Sequence, residues 1–168
     1  MIRPSEPSDE RGILAVVTAA FSDATRDGEE ERAIVSGTWA ACPGEDRVEL
    51  VADDRGAVIG HLVAAPGRLD GAPAPVAGVA PVCVAPDWQG QGVGRALMES
   101  LVAEAGRRVW AMLVLLGDPA FYGRFGFESA GALGLTYPPA GRGSPHFLAL
   151  PLRPLESSLR GDFTYCWE

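Results

Sequence analysis

The chain contains no lysine, because all 14 of its basic residues are arginine. A protein without lysine has no P-loop lysine, no Schiff-base lysine and no lysine general base, so three kinds of active site are excluded. Histidine is also scarce: His61 and His146 are too few for a convincing metal cluster. We therefore expect no metal cofactor.

Cysteine and long apolar runs are limited as well. Cys42, Cys83 and Cys166 lie far apart and form no CxxC motif, which favours reduced thiols over a disulfide frame or a zinc site. The longest strongly apolar run, residues 109–116, is far shorter than the roughly 20 residues that span a bilayer. The first residues lack the basic-then-apolar pattern of a signal peptide. These features predict a cytoplasmic protein with no membrane partner.

Negative charge is in excess, with 22 acidic residues and a formal net charge of −8. Such a chain repels phosphate backbones, so we expect no nucleic-acid partner. The charge mildly favours a cationic substrate, although most acidic surfaces only maintain solubility.

Length and hydrophobic periodicity predict one domain, residues 1–168, of mixed α/β (α+β) class. Apolar residues follow helical spacing in some segments and alternate or run continuously in others. The predicted elements are a strand at 2–3, helices at 9–21 and 27–39, a hairpin from 48–52 and 57–65, a loop at 66–75, a strand at 76–84, a helix from 93, a buried strand at 110–116, a short helix at 119–124, and strands near 127 and 146–152.

Three glycines lie at alternate positions around the start of the helix that begins near residue 93, in the stretch APDWQGQGVGRAL. A strand that leads through a bare-backbone loop into a helix N-terminus is typical of an anion site. There, unpaired amides and the helix dipole both favour negative charge, and glycine lets a phosphate approach the backbone. The alternative is a flexible turn that tolerates glycine for its geometry.

Two well-known phosphate motifs do not fit this loop. A dinucleotide fingerprint needs a third glycine, but Gly92-Val93-Gly94 is followed by Arg95-Ala96-Leu97, and no clear acidic residue lies about 20 positions later to hold a ribose. A P-loop requires lysine.

The remaining pattern, Gln-x-x-Gly-x-Gly after a strand, resembles the coenzyme A loop of the GNAT superfamily of N-acetyltransferases. YGRFGF at 122–127 resembles that family's Tyr-x-x-x-Gly-Phe segment, and LGDPAFYGRFGF is similar to a small bacterial branch. The resemblance implies a mixed, mostly antiparallel sheet of six to seven strands, flanked by about four helices and splayed between the fourth and fifth strands. It also implies acetyl-CoA as co-substrate.

In that family the pantetheine arm inserts at the splay, and the loop amides bind the pyrophosphate. Carried onto this sequence, the expected cofactor-binding residues are Val82, Cys83, Val84, Gln89, Gly90, Gln91, Gly92, Val93, Gly94 and Arg95. Arg95 is equally well explained as a surface residue that covers the first helical turn.

Tyr122 matches the family's phenol, which gives a proton to the departing CoA thiolate. The backbone amide near Cys83 or Val84 is the corresponding oxyanion donor. The alternative for Tyr122 is a core position beside Phe121, Phe125 and Phe127. An acyl-cysteine at Cys83 is disfavoured, because a strand thiol is usually buried and inert.

The general base remains open. Neither the fourth nor the fifth strand carries a glutamate, which leaves Glu49, His61, Asp118 or a water. His61 is more easily read as a structural histidine. Asp118 equally suits the cap of a short helix, or replaces an asparagine that many family members carry and that residues 115–121 lack.

The resemblance predicts an acyl-CoA-dependent N-acyltransferase that moves an acetyl group to a primary amine in a ternary complex. The alternative is a non-catalytic acyl-CoA-binding regulatory module. The acceptor is a small molecule or a protein amine, since the acidic charge disfavours aminoacyl-tRNA. Its pocket is expected from residues around 21–45 and 134–146, with Trp39 and Trp88 as candidates for its lining or for surface packing. Homodimers are frequent in this family.

Overall fold

The computed structural model describes all of residues 1–168. Nine strands and four α-helices follow one another along the chain. They are β1 (Ile2–Pro4), α1 (Glu10–Phe21), α2 (Glu29–Ala41), β2 (Val48–Asp54), β3 (Ala57–Leu69), β4 (Ala72–Val84), α3 (Val93–Ala105), β5 (Met112–Leu116), α4 (Pro119–Tyr122), β6 (Glu128–Ser129), β7 (Leu135–Thr136), β8 (Phe147–Pro151) and β9 (Gly161–Thr164). None of the helices combines the length and the apolar character needed to cross a membrane.

Seven strands form the main sheet in the order β1-β2-β3-β4-β5-β8-β6, while β9 pairs with both β3 and β7. Within the main sheet, β4 and β5 are parallel and all other neighbours are antiparallel. This architecture confirms the predicted mixed, mostly antiparallel sheet with about four helices.

Strand alternation divides the core into layers. Along β2, Val48 and Leu50 face the cluster that contains the buried side of α3, whereas Val51 joins a cluster with α1 and α2. Leu97 and Leu101 of α3 are completely buried. Burying one such side chain contributes roughly 1.5–3 kcal/mol, so these contacts fix α3 against the sheet.

The two parallel strands separate after a short contact. β4 pairs with β5 only from Val76 to Gly78, opposite Met112 to Val114, although β4 continues to Val84. The pairing ends beside the ring of Tyr165, which lies so close to Gly78 that a Cβ there would collide with it. The expected splay between the fourth and fifth strands is therefore present, and its β4 side leads directly into the glycine loop.

The predicted loop at residues 66–75 is wrong. β3 and β4 instead form a long hairpin whose turn is Asp70-Gly71, with φ of +50° and +80° at these two residues. The register shifts between Pro66 and Arg68, and a bulge of this kind accommodates a proline that cannot donate to the ladder.

Candidate functional site

The glycine loop presents an uncapped helix start. Gly90 and Gly92 have φ of +73° and +86°, a conformation that L side chains adopt only with strain. A Cβ at either glycine would meet open space, so the backbone angle requires glycine here and crowding does not. Gly92 is the N-cap of α3 and no side chain caps the helix, which leaves its first amides free to bind an anion.

Two glutamines hold the loop through their side chains. Gln89 donates from Nε2 to the Val84 carbonyl at 3.0 Å, and Gln91 donates from Nε2 to the Asp87 carbonyl at 2.8 Å. Both side chains therefore bind the segment that precedes them. They shape the loop, while its backbone amides remain available for a ligand.

A cavity of about 530 Å³ lies between this loop, the end of β4 and α4, and we name it the acyl-CoA cleft after the ligand that the sequence predicts for it. It brings together all but one of the residues that the sequence assigned to cofactor binding and catalysis. The predicted residues in its lining are Val82, Cys83, Val84, Gln89, Gly90, Gly92, Val93, Gly94, Arg95 and Tyr122. Gln91 is the exception, because it lies outside the lining.

The lining also contains residues that the sequence did not indicate. Ala20 and Phe21 come from the end of α1, and Arg124 follows α4. Phe121, expected in the core, lines the cleft as well, and so does Trp88, for which the sequence suggested the acceptor pocket or surface packing. The only available signal for Arg124 was its position inside the YGRFGF segment.

Two arginines give the cleft its positive charge. The Arg95 Nε lies 2.7 Å from Oε1 of Glu99, one turn later on α3, and both side chains are mostly exposed. Arg124 lies over the ring of Phe121, at 5.0 Å from the ring centroid. Either guanidinium is placed to add charge-assisted hydrogen bonds to a phosphate.

Tyr122 is held by aromatic packing. Its ring makes edge contacts with Phe121 and Phe127, at centroid distances of 4.9 and 5.9 Å. Burial raises the pKa of Tyr122 to about 12, so its hydroxyl keeps its proton at neutral pH. The two interpretations of Tyr122, as a core residue and as a proton donor, are compatible, because its side chain packs with core residues and also lines the cleft.

Two other candidates have clear local roles. The Asp118 carboxylate accepts a hydrogen bond from the Ala120 amide at 2.9 Å and caps α4. Cys83 is buried beside the cleft, and desolvation raises its pKa to about 12. A neutral thiol is a poor nucleophile, which agrees with the case against an acyl-cysteine.

Glu49 and His61 form a buried pair under α1 and α2. The His61 Nε2 lies 2.9 Å from Oε1 of Glu49, and the Trp39 indole donates to the same oxygen at 2.7 Å. Ser5 and Arg47 donate to Oε2 at 3.0 and 3.1 Å. Trp39 thus binds the carboxylate and does not line the acyl-CoA cleft.

The charge state of Glu49 follows from these contacts. Burial favours its neutral form, but the hydrogen bond and electrostatic attraction of His61, the hydrogen bond from Trp39 and the charge of Arg47 outweigh this cost. As a result, the pKa of Glu49 falls to about 2. Glu49 is therefore a carboxylate at neutral pH.

Comparison with known proteins agrees with this geometry. Residues 45–129 match the acetyltransferase (GNAT) domain family. The Escherichia coli K12 protein named as the uncharacterized N-acetyltransferase YhbS is 34% identical over 135 residues, which is 77% of this chain and 74% of that protein.

Two solved structures share the fold. The crystal structure of YhbS from Escherichia coli in complex with CoA has a TM-score of 0.84 and 29% identity, covering 98% of this chain and 88% of that one. A GNAT family acetyltransferase from Brucella melitensis in complex with acetyl-CoA has a TM-score of 0.78 and 30% identity, covering 98% and 94%. With its family match, its relatives and its cleft, the chain belongs to the GNAT family of N-acetyltransferases.

Proposed function

We propose that the protein transfers an acetyl group from acetyl-CoA to a primary amine in a ternary complex, and that Tyr122 protonates the departing thiolate. The observation that carries this proposal is the convergence of three elements on one cleft: the uncapped start of α3, the unpaired end of β4 and the Tyr122 ring. The CoA and acetyl-CoA complexes of two similar structures support the choice of cofactor.

Each element has a defined role in the proposed complex. The amides of residues 90–95 bind the pyrophosphate, with Arg95 and Arg124 as charged partners. The free edge of β4 from Val82 to Val84 pairs with the pantetheine arm, and an amide near Cys83 or Val84 stabilises the tetrahedral oxyanion.

Bond making and breaking then follow a simple order. The amine nitrogen attacks the thioester carbon, the C–N bond forms, and the C–S bond breaks with its electron pair on sulfur. The Tyr122 hydroxyl transfers its proton to that sulfur, and the proton that the nitrogen loses as it becomes an amide restores the phenol. A phenol that stays protonated at neutral pH suits this step, since it reaches the thiolate as an acid.

A second candidate is a non-catalytic module that binds acyl-CoA. The observation that favours it is the absence of aspartate, glutamate and histidine from the lining of the acyl-CoA cleft. Both candidates predict that acetyl-CoA raises the melting temperature by mass action. Only the enzyme releases free CoA when an amine is added.

The test is a CoA-release assay with a linear polyamine, a lysine-containing peptide and a peptide with a free N-terminus. We expect turnover with at least one of them, and Tyr122→Phe should lower kcat by 10²-fold or more with acetyl-CoA affinity within about twofold. Binding without turnover across the panel supports the module. If Tyr122→Phe leaves kcat unaltered, Tyr122 contributes to packing and is not the proton donor.

Substrate and assembly complete the proposal. We infer a single acetyltransferase domain over residues 1–168, because the main sheet contains strands from both ends of the chain. The net charge of −8 favours an amine that carries further positive charge. A homodimer is the proposed assembly, and sedimentation measures it directly.

A further inference from the structure

We propose that His61 is the proton acceptor for the amine, acting through a buried water between its imidazole and the acyl-CoA cleft, with Glu49 as the positioning residue that orients and stabilises the imidazole. This assignment rests on the proposed acetyl transfer and deepens it. It supplies the basic group that the lining of the cleft lacks.

The hydrogen bonds of Glu49 define the tautomer of His61. An ionised carboxylate only accepts hydrogen bonds, so the His61 nitrogen that lies 2.9 Å from Oε1 must carry its proton on Nε2. In the neutral ring, Nδ1 is then left as an acceptor with a free lone pair. A carboxylate behind one ring nitrogen and a free lone pair on the other is the arrangement of a general base.

The Nδ1 atom has no hydrogen-bond partner in the protein although His61 is completely buried. Leaving a buried acceptor unpaired costs roughly 1–3 kcal/mol, and such groups call for an explanation. The contact with Glu49 does not explain the free nitrogen, because that contact uses only Nε2. A proton-accepting role gives the free nitrogen a function.

Strand pairing brings His61 next to the acyl-CoA cleft. On β3, His61 lies directly opposite Cys83 of β4, so the two side chains share one face of the sheet. Cys83 itself lines the cleft at the point where the thioester is expected. One strand of the sheet thus separates the imidazole from the reacting atoms.

Few titratable groups face His61. β2 contributes Glu49, with Arg47 behind it on the second carboxylate oxygen, and β4 contributes the Cys83 thiol. The helices above contribute apolar side chains to this layer, and the Trp39 indole reaches Glu49. The apolar members are Ile13, Val16, Val17 and Val35.

Glu49 also connects the pair to solvent. It lines a second cavity of about 630 Å³ at the β1–β2 edge of the sheet, together with Ser5, Trp39 and Arg47. The pair therefore lies between the acyl-CoA cleft and an open cavity on the other side of β3. A proton taken up by His61 has a short way out past the carboxylate.

The step balances as follows. The bound ammonium gives one proton through water to Nδ1 of His61, and the freed lone pair forms the C–N bond. The C–S bond breaks, sulfur takes the Tyr122 proton, and the second proton of the nitrogen restores the phenol. The His61 proton leaves to solvent, so ammonium and acetyl-CoA yield amide, CoA and one proton.

The test compares His61→Gln with wild type in kcat against pH, using the member of the amine panel that wild type acetylates fastest. We expect a loss of 100-fold or more at pH 7 with acetyl-CoA affinity within about twofold. The loss should shrink by up to tenfold per pH unit toward the pKa of the amine, because free amine then forms without a base. An equal loss at all pH values would mean a structural role and overturn the proposal.

A second variant and a control make the test independent of folding. Glu49→Gln keeps an acceptor for Nε2 but removes the negative charge beside the imidazole, so kcat should fall at pH 7 and the loss should shrink toward the pKa of the amine, as for His61→Gln. A loss that is equal at all pH values argues against the pair. Val63→Ala, a buried neighbour on β3, should lower the melting temperature without changing the shape of the profile.

The outcomes separate this assignment from the proposed function. If wild type releases no CoA with any amine, the acetyl transfer itself is wrong. If wild type turns over and Tyr122→Phe is impaired while His61→Gln keeps wild-type kcat, only the assignment of the base is wrong.

Discussion

The ring of Tyr122 lies directly against Gly117, so close that a Cβ on Gly117 would overlap its Cε2 and Cδ2 atoms. Gly117 is the residue after β5, and Tyr122 ends α4. The missing side chain at Gly117 therefore determines where the phenol sits at the mouth of the splay. Its φ is not in the left-handed region, so contact with Tyr122 is the reason that glycine is required.

Gly117→Ala should displace the phenol and lower kcat by about tenfold or more, because a proton donor loses efficiency when it leaves hydrogen-bond range. CoA-release kinetics measure the effect. Gly123→Ala is the matched control, since a Cβ there meets nothing within 4 Å and kcat should stay unchanged. In a Tyr122→Phe background, Gly117→Ala should cost no further kcat, and a full additional loss would contradict the relationship.

Gly94→Ala should have opposite effects on stability and on binding. A Cβ at Gly94 makes ordinary contacts with Val84 and Phe121 at 3.6 and 3.7 Å, and alanine is favoured over glycine in a helix by up to about 1 kcal/mol. The free protein should therefore unfold at the same or a higher temperature. Gly94 lines the cleft where the pyrophosphate is expected, so calorimetry should find acetyl-CoA affinity at least fivefold weaker.

Gly106→Ala provides the comparison for this prediction. Gly106 follows the last turn of α3, has helical backbone angles and is exposed far from the glycine loop. Gly106→Ala should stabilise the protein about as much as Gly94→Ala does and should leave the affinity for acetyl-CoA unchanged. If Gly94→Ala binds acetyl-CoA as tightly as Gly106→Ala does, the start of α3 is not the pyrophosphate site.

The order of the elements and the glycine loop could be predicted because their signals are local. Helical spacing after residue 93, the apolar run of β5 and the motif around Tyr122 each lie within one short segment. The long β3–β4 hairpin was missed for the opposite reason. Its prolines indicate a loop when taken alone, and only the pairing of two 13-residue strands shows that bulges accommodate them.

The contacts of the site residues depend on tertiary structure in the same way. Glu49 and His61 meet across adjacent strands, 12 residues apart, and no sequence pattern specifies that register. Phe21 reaches the cleft from the end of α1, which looks like an ordinary amphipathic helix. Arg124 faces the cleft because the chain turns after α4, and the sequence does not determine that direction.

Arg124→Gln should weaken CoA binding about tenfold, which corresponds to about 1.4 kcal/mol. Its guanidinium forms no ion pair in the protein and lines the cleft, so a phosphate would not have to displace a carboxylate. Titrations at two salt concentrations should show that the CoA affinity of the variant depends less on salt than that of wild type. Arg107→Gln, at the other end of α3, should leave both quantities unchanged.

Glu99→Gln tests the role of Arg95 by removing the carboxylate that pairs with it. Glu99 pairs with Arg95 at 2.7 Å, and an exposed pair of this kind contributes at most about 1 kcal/mol. Removing the carboxylate frees Arg95 and removes a negative charge near the phosphates, so CoA should bind up to a few-fold more tightly. Weaker binding in this variant would mean that the pair positions the loop.

Acid unfolding tests the buried carboxylate separately from any chemistry. The folded pKa of Glu49 is about 2, below its value of 4.5 in an unfolded chain, so the unfolded state takes up protons first as the pH falls. The stabilisation from Glu49 is therefore complete above about pH 4.5 and is lost as the pH approaches 2. From the size of the shift, it is on the order of 3 kcal/mol.

Urea unfolding of wild type and Glu49→Gln at pH 7, 5, 4 and 3 measures this contribution. The difference in the free energy of unfolding should be largest at pH 7 and 5 and shrink at pH 4 and 3. Hydrogen bonds from Arg3 and from nearby backbone amides also lower the pKa values of Asp9 and Asp53. Both proteins contain these two residues, so their contributions cancel in the difference. Glu156→Gln, on an exposed residue, should differ little from wild type at every pH. A Glu49→Gln difference that stays constant from pH 7 to 3 would mean that the carboxylate contributes through its shape and hydrogen bonds, and that its charge does not stabilise the fold.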